Sequence, residues 1–589
     1  MLESVLYVIA MVLCVGSICL TYKNEKEKSL IREIVISYVT MQCITSVVAM
    51  GMKILNIPIH LLSITVLYLV IAVLCILNSV KYKKLQKVSL YSYDVYTFLV
   101  LGVFFVILFF NTFGLDIGII YKNSDPGAHY LMALETYNTD QISRMYFSPL
   151  QNALFMDLLD PFMLPISLYK AFILSDSLAN FVTMSMMYVL MSTFVKNRFL
   201  KIVTPIIIIL WYMGWPFYSY IAGGYVYFGT GVMLFLYCIY WLIYLRQCQS
   251  KKEKIRIYIL LCLGIYNISV CYMLFTPIIG IITIWCIGKE IVNSKKLSKR
   301  TIFGIVATVM LVGSICFLVC FYGYFGGNLD AVFMGLKNEG GIHRELYKDI
   351  ILLLFPAIAA MTYYKKKDNV IVTSMFSLLL VMLIAFVAII GNFMSGYYFY
   401  KLYYLIWTFL FLLVSMSIEI YMDGNKGCIY GYFVISLCVA VISLSHFDSF
   451  LLENQLSISD ENSIIPIYGV SRWYIDTSAE PDDMSSLRAI SMHIKDNEEL
   501  QGKVKLLYAS DKYTYGLWFK AFCGQESERI SWETDTTLRG DFEAQLDRVE
   551  KECSYFIMLK ASAVNNMLEE CLKGYEEVWE DDYIVMYQF

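Results

Sequence analysis

Long apolar runs separated by short polar stretches fill most of the chain. They fall at about 2–21, 34–55, 58–80, 94–113, 176–195, 202–220, 224–245, 301–323, 346–363, 370–391, 402–421 and 428–447. Most have close to the roughly 20 residues that a helix needs to cross the hydrocarbon core of a bilayer. One more run, 257–288, is too long for one straight span and short for two. Its flanks, RQCQSKKEKIR at 246–256 and KEIVNSKKLSKR at 289–300, are both strongly basic. Both therefore belong on the cytoplasmic side. An even number of crossings is then required, and the run reads as a tight hairpin turning near Tyr272. The total is 14 spans.

Parity supports this count. The seven cytoplasmic loops hold 25 Lys and Arg, against eight in all outside segments and span ends before residue 450. MLES lacks the basic stretch of a cleavable signal, and the first basic cluster, KNEKEK at 23–28, follows the first run. The first run is therefore expected to stay as a span with Met1 outside.

The pattern changes after the last run. KVKLLYAS (503–510), ERISW (528–532), SYFIMLKA (554–561) and YIVMYQF (583–589) read as strands. DDMSSLRAISMHIKDNEEL, TYGLWFKAF, DFEAQLDRVEKE and AVNNMLEECLKGY read as intervening helices. This alternation predicts a small, largely parallel α/β sheet, outside the cell because its preceding span exits the cytoplasm. The fold class is thus mainly α: a polytopic helical membrane protein with a C-terminal extracytoplasmic α/β domain. The units are an N-terminal three-span extension at 1–93, a transmembrane module at 94–447 with an outer loop at 114–175, and the soluble domain at 448–589.

Composition sharpens the division. The chain is 58% apolar and only 16% charged, with mean hydropathy +0.61; soluble domains average about 25% charged. The net charge of −3 hides two parts. Residues 1–449 hold 33 basic against 22 acidic residues, and residues 450–589 hold 13 against 27. Most of the 16 cysteines sit in apolar runs as small hydrophobes, and there is no CxxC pair or Gly-rich phosphate loop. Nucleic acid is not an expected partner; membrane lipid is.

Span interiors are nearly free of charge, apart from Glu419 and Lys53 near span ends. Polar groups gather instead in three outside segments, which favours a site at the outer face over a conduction path. The first, DIGIIYKNSDPGAHYLMALETYNTDQ, places Asp125 before Pro126 and Gly127 at a helix start. There it reads as an N-cap, a geometry that also suits a fixed general base. His129 lies one turn on, and Glu135 farther along the same helix; His129 reads equally as a satisfied interfacial histidine. The stretch PLQNALFMDLLDPFMLPISLYKAF, interrupted by Pro161 and Pro165, reads as an in-plane helix. In it Asp160 is a cap and Asp157 faces water. The second segment, NEGGIHRELYKD at 338–349, offers His343, Arg344 and Lys348 to a phosphate, or else is an exposed loop with Arg344 paired locally. The third, GNFMSGYYFYKLYYLIW at 391–407, holds Tyr397, Tyr398, Tyr400 and Lys401. It reads as an aromatic belt with a snorkelling lysine or as a sugar- and phosphate-binding surface. Tyr272 and Thr276–Pro277 suit a hairpin turn.

This layout resembles the GT-C superfamily of membrane glycosyltransferases. Those enzymes are similar in having many helices, a long first outer loop with an early acidic residue, and often a soluble domain after the last span. The resemblance runs from about residue 94 to the end. It carries Asp125, in SDPGAHY, onto the catalytic acidic position, while GGIHRELY and YYFYKLYY look like loops of bacterial members. It implies a sugar donor linked to polyprenyl phosphate, an acceptor glycan, lipid or protein, and a site facing outward from the cell membrane. Asp125 would take the acceptor proton, Arg344 and Lys401 would neutralise the leaving phosphate, and the tyrosines would stack on sugar rings. No paired Asp-x-Asp or Glu-x-Asp accompanies Asp125, so no metal ligand set is assigned, although a divalent metal is compatible with the resemblance. The competing classes are a lipid-linked glycan polymerase or ligase, a polysaccharide flippase or transporter, and an envelope scaffold.

Overall fold

The computed structural model describes residues 1–21, 28–81, 87–121, 125–142, 147–163, 167–213, 226–248, 250–293, 299–338, 346–364, 369–422, 463–465, 470–471, 480–508, 513–529, 538–560 and 572–589. The chain is mainly helical. The bundle comprises α1 (Leu2–Thr21), α2 (Leu30–Ile54), α3 (Leu61–Lys81), α4 (Ser92–Phe113), α5 (Asp125–Thr139), α6 (Ser148–Leu159), α7 (Leu168–Met191) and α8 (Arg198–Met213). It continues with α9 (Val226–Gln247), α10 (Lys251–Cys271), α11 (Thr276–Asn293), α12 (Lys299–Phe325), α13 (Leu329–Lys337), α14 (Leu346–Tyr364), α15 (Val370–Ile390) and α16 (Gly396–Met422). Among the described residues, nine helices are long and apolar enough to cross a membrane, and 273–289, 309–322 and 353–364 are shorter apolar helices. The predicted last span, 428–447, lies outside the described residues.

The outward surface of the bundle explains its composition. Leu74, Val103, Met310 and Val387 are exposed large hydrophobics on α3, α4, α12 and α15. Their number far exceeds the apolar patches that soluble monomers present to water. The chain is compatible with a multi-pass membrane protein. Between helices, small polar clasps replace a hydrophobic driving force that lipid does not supply. Trp407 Nε1 donates to the Trp211 carbonyl at 2.9 Å, and Asn267 Nδ2 donates to the Cys43 carbonyl at 3.1 Å.

The polar connections sort to two ends. At the basic end, β1 (Lys28–Ser29) pairs in parallel with β2 (Val88–Ser89). There Arg32 meets Asp94 at 3.4 Å and donates to Ser192 at 3.0 Å. Ser29 and Tyr188 also bond Asp94. Glu419 accepts from the Lys196 and Asn197 amides ahead of α8, at 2.9 and 3.0 Å. These residues lie in the loops predicted to be cytoplasmic or in the adjoining halves of predicted spans. At the other end, the Ile59 amide donates to the Asp140 carbonyl at 2.9 Å, and Lys53 to the Ile142 carbonyl at 2.7 Å. Ser395 bonds backbone atoms of Leu336 and Asn338. These contacts join segments that the charge pattern assigns to the same side. The ambiguous run resolves as two helices, α10 and α11, broken at Tyr272 and a 3-10 turn over Met273–Phe275.

Three expectations change. The stretch after Pro165 is not in-plane: Leu168–Phe172 are the first residues of α7, whose start was expected at 176. Asp157 does not simply face water. It is half-buried and accepts from the Leu61 amide at 3.1 Å, satisfying the open start of α3. Burial raises its pKa, opposed by that amide bond. Asp157→Ala is expected to cost about 1 kcal/mol, the usual worth of a cap, read as a lower midpoint in thermal unfolding. The third change concerns the tail sheet.

The tail adds a short antiparallel pair, β3 (Ser463–Ile465) with β4 (Val470–Ser471), then α17 (Asp482–Asp496), β5 (Val504–Tyr508), α18 (Tyr513–Cys523), β6 (Ser527–Arg529), α19 (Leu538–Glu550), β7 (Tyr555–Leu559), β8 (Glu576–Glu580) and β9 (Ile584–Gln588). Its five-stranded sheet has the order β6-β5-β7-β9-β8. The β5–β6 and β5–β7 pairs are parallel, but β7–β9 and β8–β9 are antiparallel. The sheet is therefore mixed, not largely parallel. EEVWE escaped notice as a strand because it is an acidic, mostly exposed edge, a usual way to protect an open edge. Strand alternation gives two cores. Leu506, Ile557 and Met586 face α17, α18 and the bundle. Leu507, Phe556, Met558 and Val585 face Leu546 and Val549 of α19.

Candidate functional site

Asp125 opens α5, and Pro126 follows it. Proline has the right φ for a first turn, and an acidic side chain is favoured beside the free amides there. The carboxylate thus sits within the first turn of the helix rather than capping it from outside. Lys401, near the start of α16, and Tyr272, in the α10–α11 turn, belong to the same region. Both lie within electrostatic range of Asp125. The Lys401 ammonium is 4.1 Å from the Tyr397 ring centre and 5.5 Å from that of Tyr272. Tyr398 and Tyr404 lie close to Tyr272 as well. Burial, reinforced by these phenols and Asp125, holds the Tyr272 hydroxyl well above its usual pKa, so it remains neutral. Gly231 lets α9 approach this turn: a Cβ there would come within 2.7 Å of Tyr272 Cβ.

His129, one turn beyond Asp125, stacks on Tyr227 at 3.7 Å between ring centres, with the planes 22° apart. Tyr400 instead stacks on Tyr403 at 6.0 Å. Tyr398 donates to the Gly335 carbonyl at 2.7 Å, tying α16 to α13. Glu135 is not brought to this cluster. It is exposed and about 15 Å along α5 from Asp125, at 1.5 Å per residue. There it lines a groove of about 840 Å³ between α5 and α18, with Lys495 and Lys520 across it. His343 and Arg344 lie outside the described residues.

The tail grips the loop on both sides of Asp125. Before it, Glu480 accepts from the Ile119 amide at 3.4 Å, and Gly118 lies so close that a Cβ would stand 2.8 Å from Glu480 Cβ. Arg488 holds Glu480 at 2.7 Å and also bonds Tyr169. Burial lifts the Glu480 carboxyl above its usual range despite that arginine. After Asp125, a Cβ at Gly127 would stand 3.0 Å from Leu517 Cβ. Trp518, fully buried, stacks on Tyr121 at 6.3 Å and on Tyr130 at 5.4 Å. Trp518 is a core residue, and that core is shared with the loop.

Sequence reasoning missed Asp176. Setting the start of the span at 176 made it a flank, whereas it lies about two turns inside α7 and is 2% exposed. The apolar LYKAFIL ahead of SDS was the available signal, and Pro161 and Pro165 masked it. Tyr272 was assigned only to turn chemistry, yet the Lys401 ammonium lies over its ring and Asp125 is within electrostatic range.

The arrangement is compatible with a multi-pass helical membrane protein. One end of its bundle places a carboxylate within electrostatic range of an ammonium that lies over two phenol rings. No family model matches the chain, and no curated protein matches it. Among the described residues, no three His, Cys, Asp or Glu side chains converge to hold a metal ion. A divalent metal would find Asp125 as a single carboxylate. Chemically, the pair combines a carboxylate with a cation, groups suited to proton transfer and to holding an anion.

Proposed function

We propose that the protein is a GT-C-type membrane glycosyltransferase with 14 spans. In this reading the basic end faces the cytoplasm, and the tail domain lies outside the cell membrane. It moves a sugar from a polyprenyl-phosphate donor to an acceptor glycan, lipid or protein. The observation that carries this reading is the convergence of Asp125 and Lys401, from segments far apart in the chain, at the end where the tail docks. Asp125 takes the acceptor hydroxyl proton as that oxygen attacks the anomeric carbon. The bond from that carbon to the phosphate oxygen breaks, and polyprenyl phosphate leaves with its charge balanced by Lys401. Tyr272 and Tyr397 offer flat apolar faces with polar tips to the sugar. No nucleotide takes part.

Lys401→Met tests the phosphate contact. Charge-assisted hydrogen bonds are worth about 1.5–3 kcal/mol, so kcat/KM for the lipid-linked donor is expected to fall by roughly 10- to 100-fold. Lys170→Met, on the far side of the loop beside Glu480, serves as the control and is expected to change little. Equal activity of Lys401→Met and wild type would remove Lys401 from the site.

One observation favours a second reading, a flippase for lipid-linked glycans. Asp176 is a carboxylate inside the bundle, where ionisable groups often mark transport paths. The cavity beside it is about 230 Å³, small for the passage of a glycan, which is why transfer is preferred.

A further inference from the structure

A cavity of about 230 Å³ lies inside the bundle where α1, α2, α6, α7 and α9 meet. Three buried polar atoms on its lining side chains lack a hydrogen-bond partner: Asp176 Oδ2, Gln151 Nε2 and Thr230 Oγ1. Asp176 is 2% exposed and Thr230 is 3% exposed. The carboxylate is held in place. Asn152 Nδ2 donates to Asp176 Oδ1 at 2.8 Å, and Ser175 donates to Asn152 Oδ1 at 2.8 Å. Asn152 is thereby occupied, and the second carboxylate oxygen is left over. Buried polar groups are almost always satisfied, and exceptions call for an unseen partner.

The chemistry of the walls narrows that partner. Among the described residues, no Lys, Arg or His lines the cavity. A phosphate would meet the Asp176 carboxylate. A bare metal ion would leave the Gln151 N–H donor aimed at a positive charge. A hydroxyl both donates and accepts, so one type of group satisfies all three atoms. Tyr7, Met11, Phe147 and Phe155 add an apolar and aromatic wall, beside the further polar side chains of Tyr38, Gln42 and Ser148. Water alone would fill the space with roughly eight molecules at about 30 Å³ each, but it would gain nothing from that wall. A sugar ring has both characters, a hydroxyl edge and flat C–H faces. The volume lies below the roughly 300–1,000 Å³ of sites for larger ligands, which fits one ring rather than a chain.

We infer that this cavity binds a single sugar ring, with a hydroxyl donating to Asp176 Oδ2 and another accepting from Gln151 Nε2. Thr230 lies about one helical turn along α9 from Tyr227, the ring that carries His129. The cavity is therefore a second chamber next to the Asp125 cluster. The sugar class rests on the transferase reading; the unpartnered atoms do not.

The test uses the full chain in lipid nanodiscs and four probes: D-glucose, D-galactose, D-mannose and N-acetyl-D-glucosamine. Binding is read by saturation-transfer NMR. At least one probe is expected to bind wild type and Asp125→Asn alike. The same probe is expected to bind about tenfold more weakly to Asp176→Asn and not at all to Val182→Trp, which fills the cavity. Thr230→Val, nearly isosteric, gives a milder loss and serves if Val182→Trp does not fold. If no probe binds wild type, or if Asp176→Asn and Thr230→Val bind as wild type does, the inference is overturned. The transferase reading fails separately, by normal transfer in Asp125→Asn, a variant whose inner cavity is intact.

Discussion

Asp125→Asn is expected to lower sugar transfer from a polyprenyl-phosphate donor by roughly 100- to 10,000-fold, the range a positioned acid–base group supplies. The substitution keeps shape and polarity at the start of α5, so Pro126, Gly127 and the packing against Trp518 are undisturbed. What it removes is the capacity to take a proton and the charge that faces Lys401 and Tyr272. Donor binding, carried by Lys401, is expected to persist, so the loss falls on kcat rather than KM. The measurement is a steady-state assay with purified wild type and variant in the same lipid. Undiminished turnover would remove Asp125 from the chemistry.

Trp518→Ala is expected to cost about 3–5 kcal/mol, as deletion of a fully buried tryptophan does. It should also depress transfer, although Trp518 touches no reacting atom. Its indole is stacked between Tyr121 and Tyr130, which bracket Asp125 in sequence, and α18 also presses on Gly127. Removing it frees the helix that positions the carboxylate. The tail should then be released by limited proteolysis under conditions where wild type stays whole. Trp518→Phe, which keeps a stacking ring, is expected to recover part of both properties. If Trp518→Ala keeps the tail docked and turnover normal, the tail is not a clamp on the Asp125 helix.

Much of the architecture was legible because two solvents leave different marks. Apolar length and basic loops placed nearly every helix, and the run 257–288 breaks into two helices at Tyr272, where its basic flanks required a turn. The alternation of strands and helices after residue 480 found four of the five strands of the tail sheet. Strand direction was not legible, because β8 and β9 form a hairpin whose outer strand is acidic and exposed. At the site, Asp125 and Lys401 were each visible as unusual polar residues in outside segments, and packing brings them together. Glu135 was grouped with Asp125 by sharing a helix, but ten residues of helix carry it into the groove beneath α18. Asp176 was hidden because two prolines moved the apparent start of α7 by two turns. The stacking of Trp518 against the loop depends on contacts between segments nearly 400 residues apart, which a local pattern does not encode.

The central claim is that a sugar leaves its lipid carrier on this protein. The most direct measurement reconstitutes the full chain in liposomes with radiolabelled undecaprenyl-phosphate sugars, an envelope fraction as acceptor source, and no nucleotide. The account predicts that label passes from the lipid to the acceptor and that free undecaprenyl phosphate accumulates in equal amount. Label that changes leaflet while its bond to the lipid stays intact would contradict it.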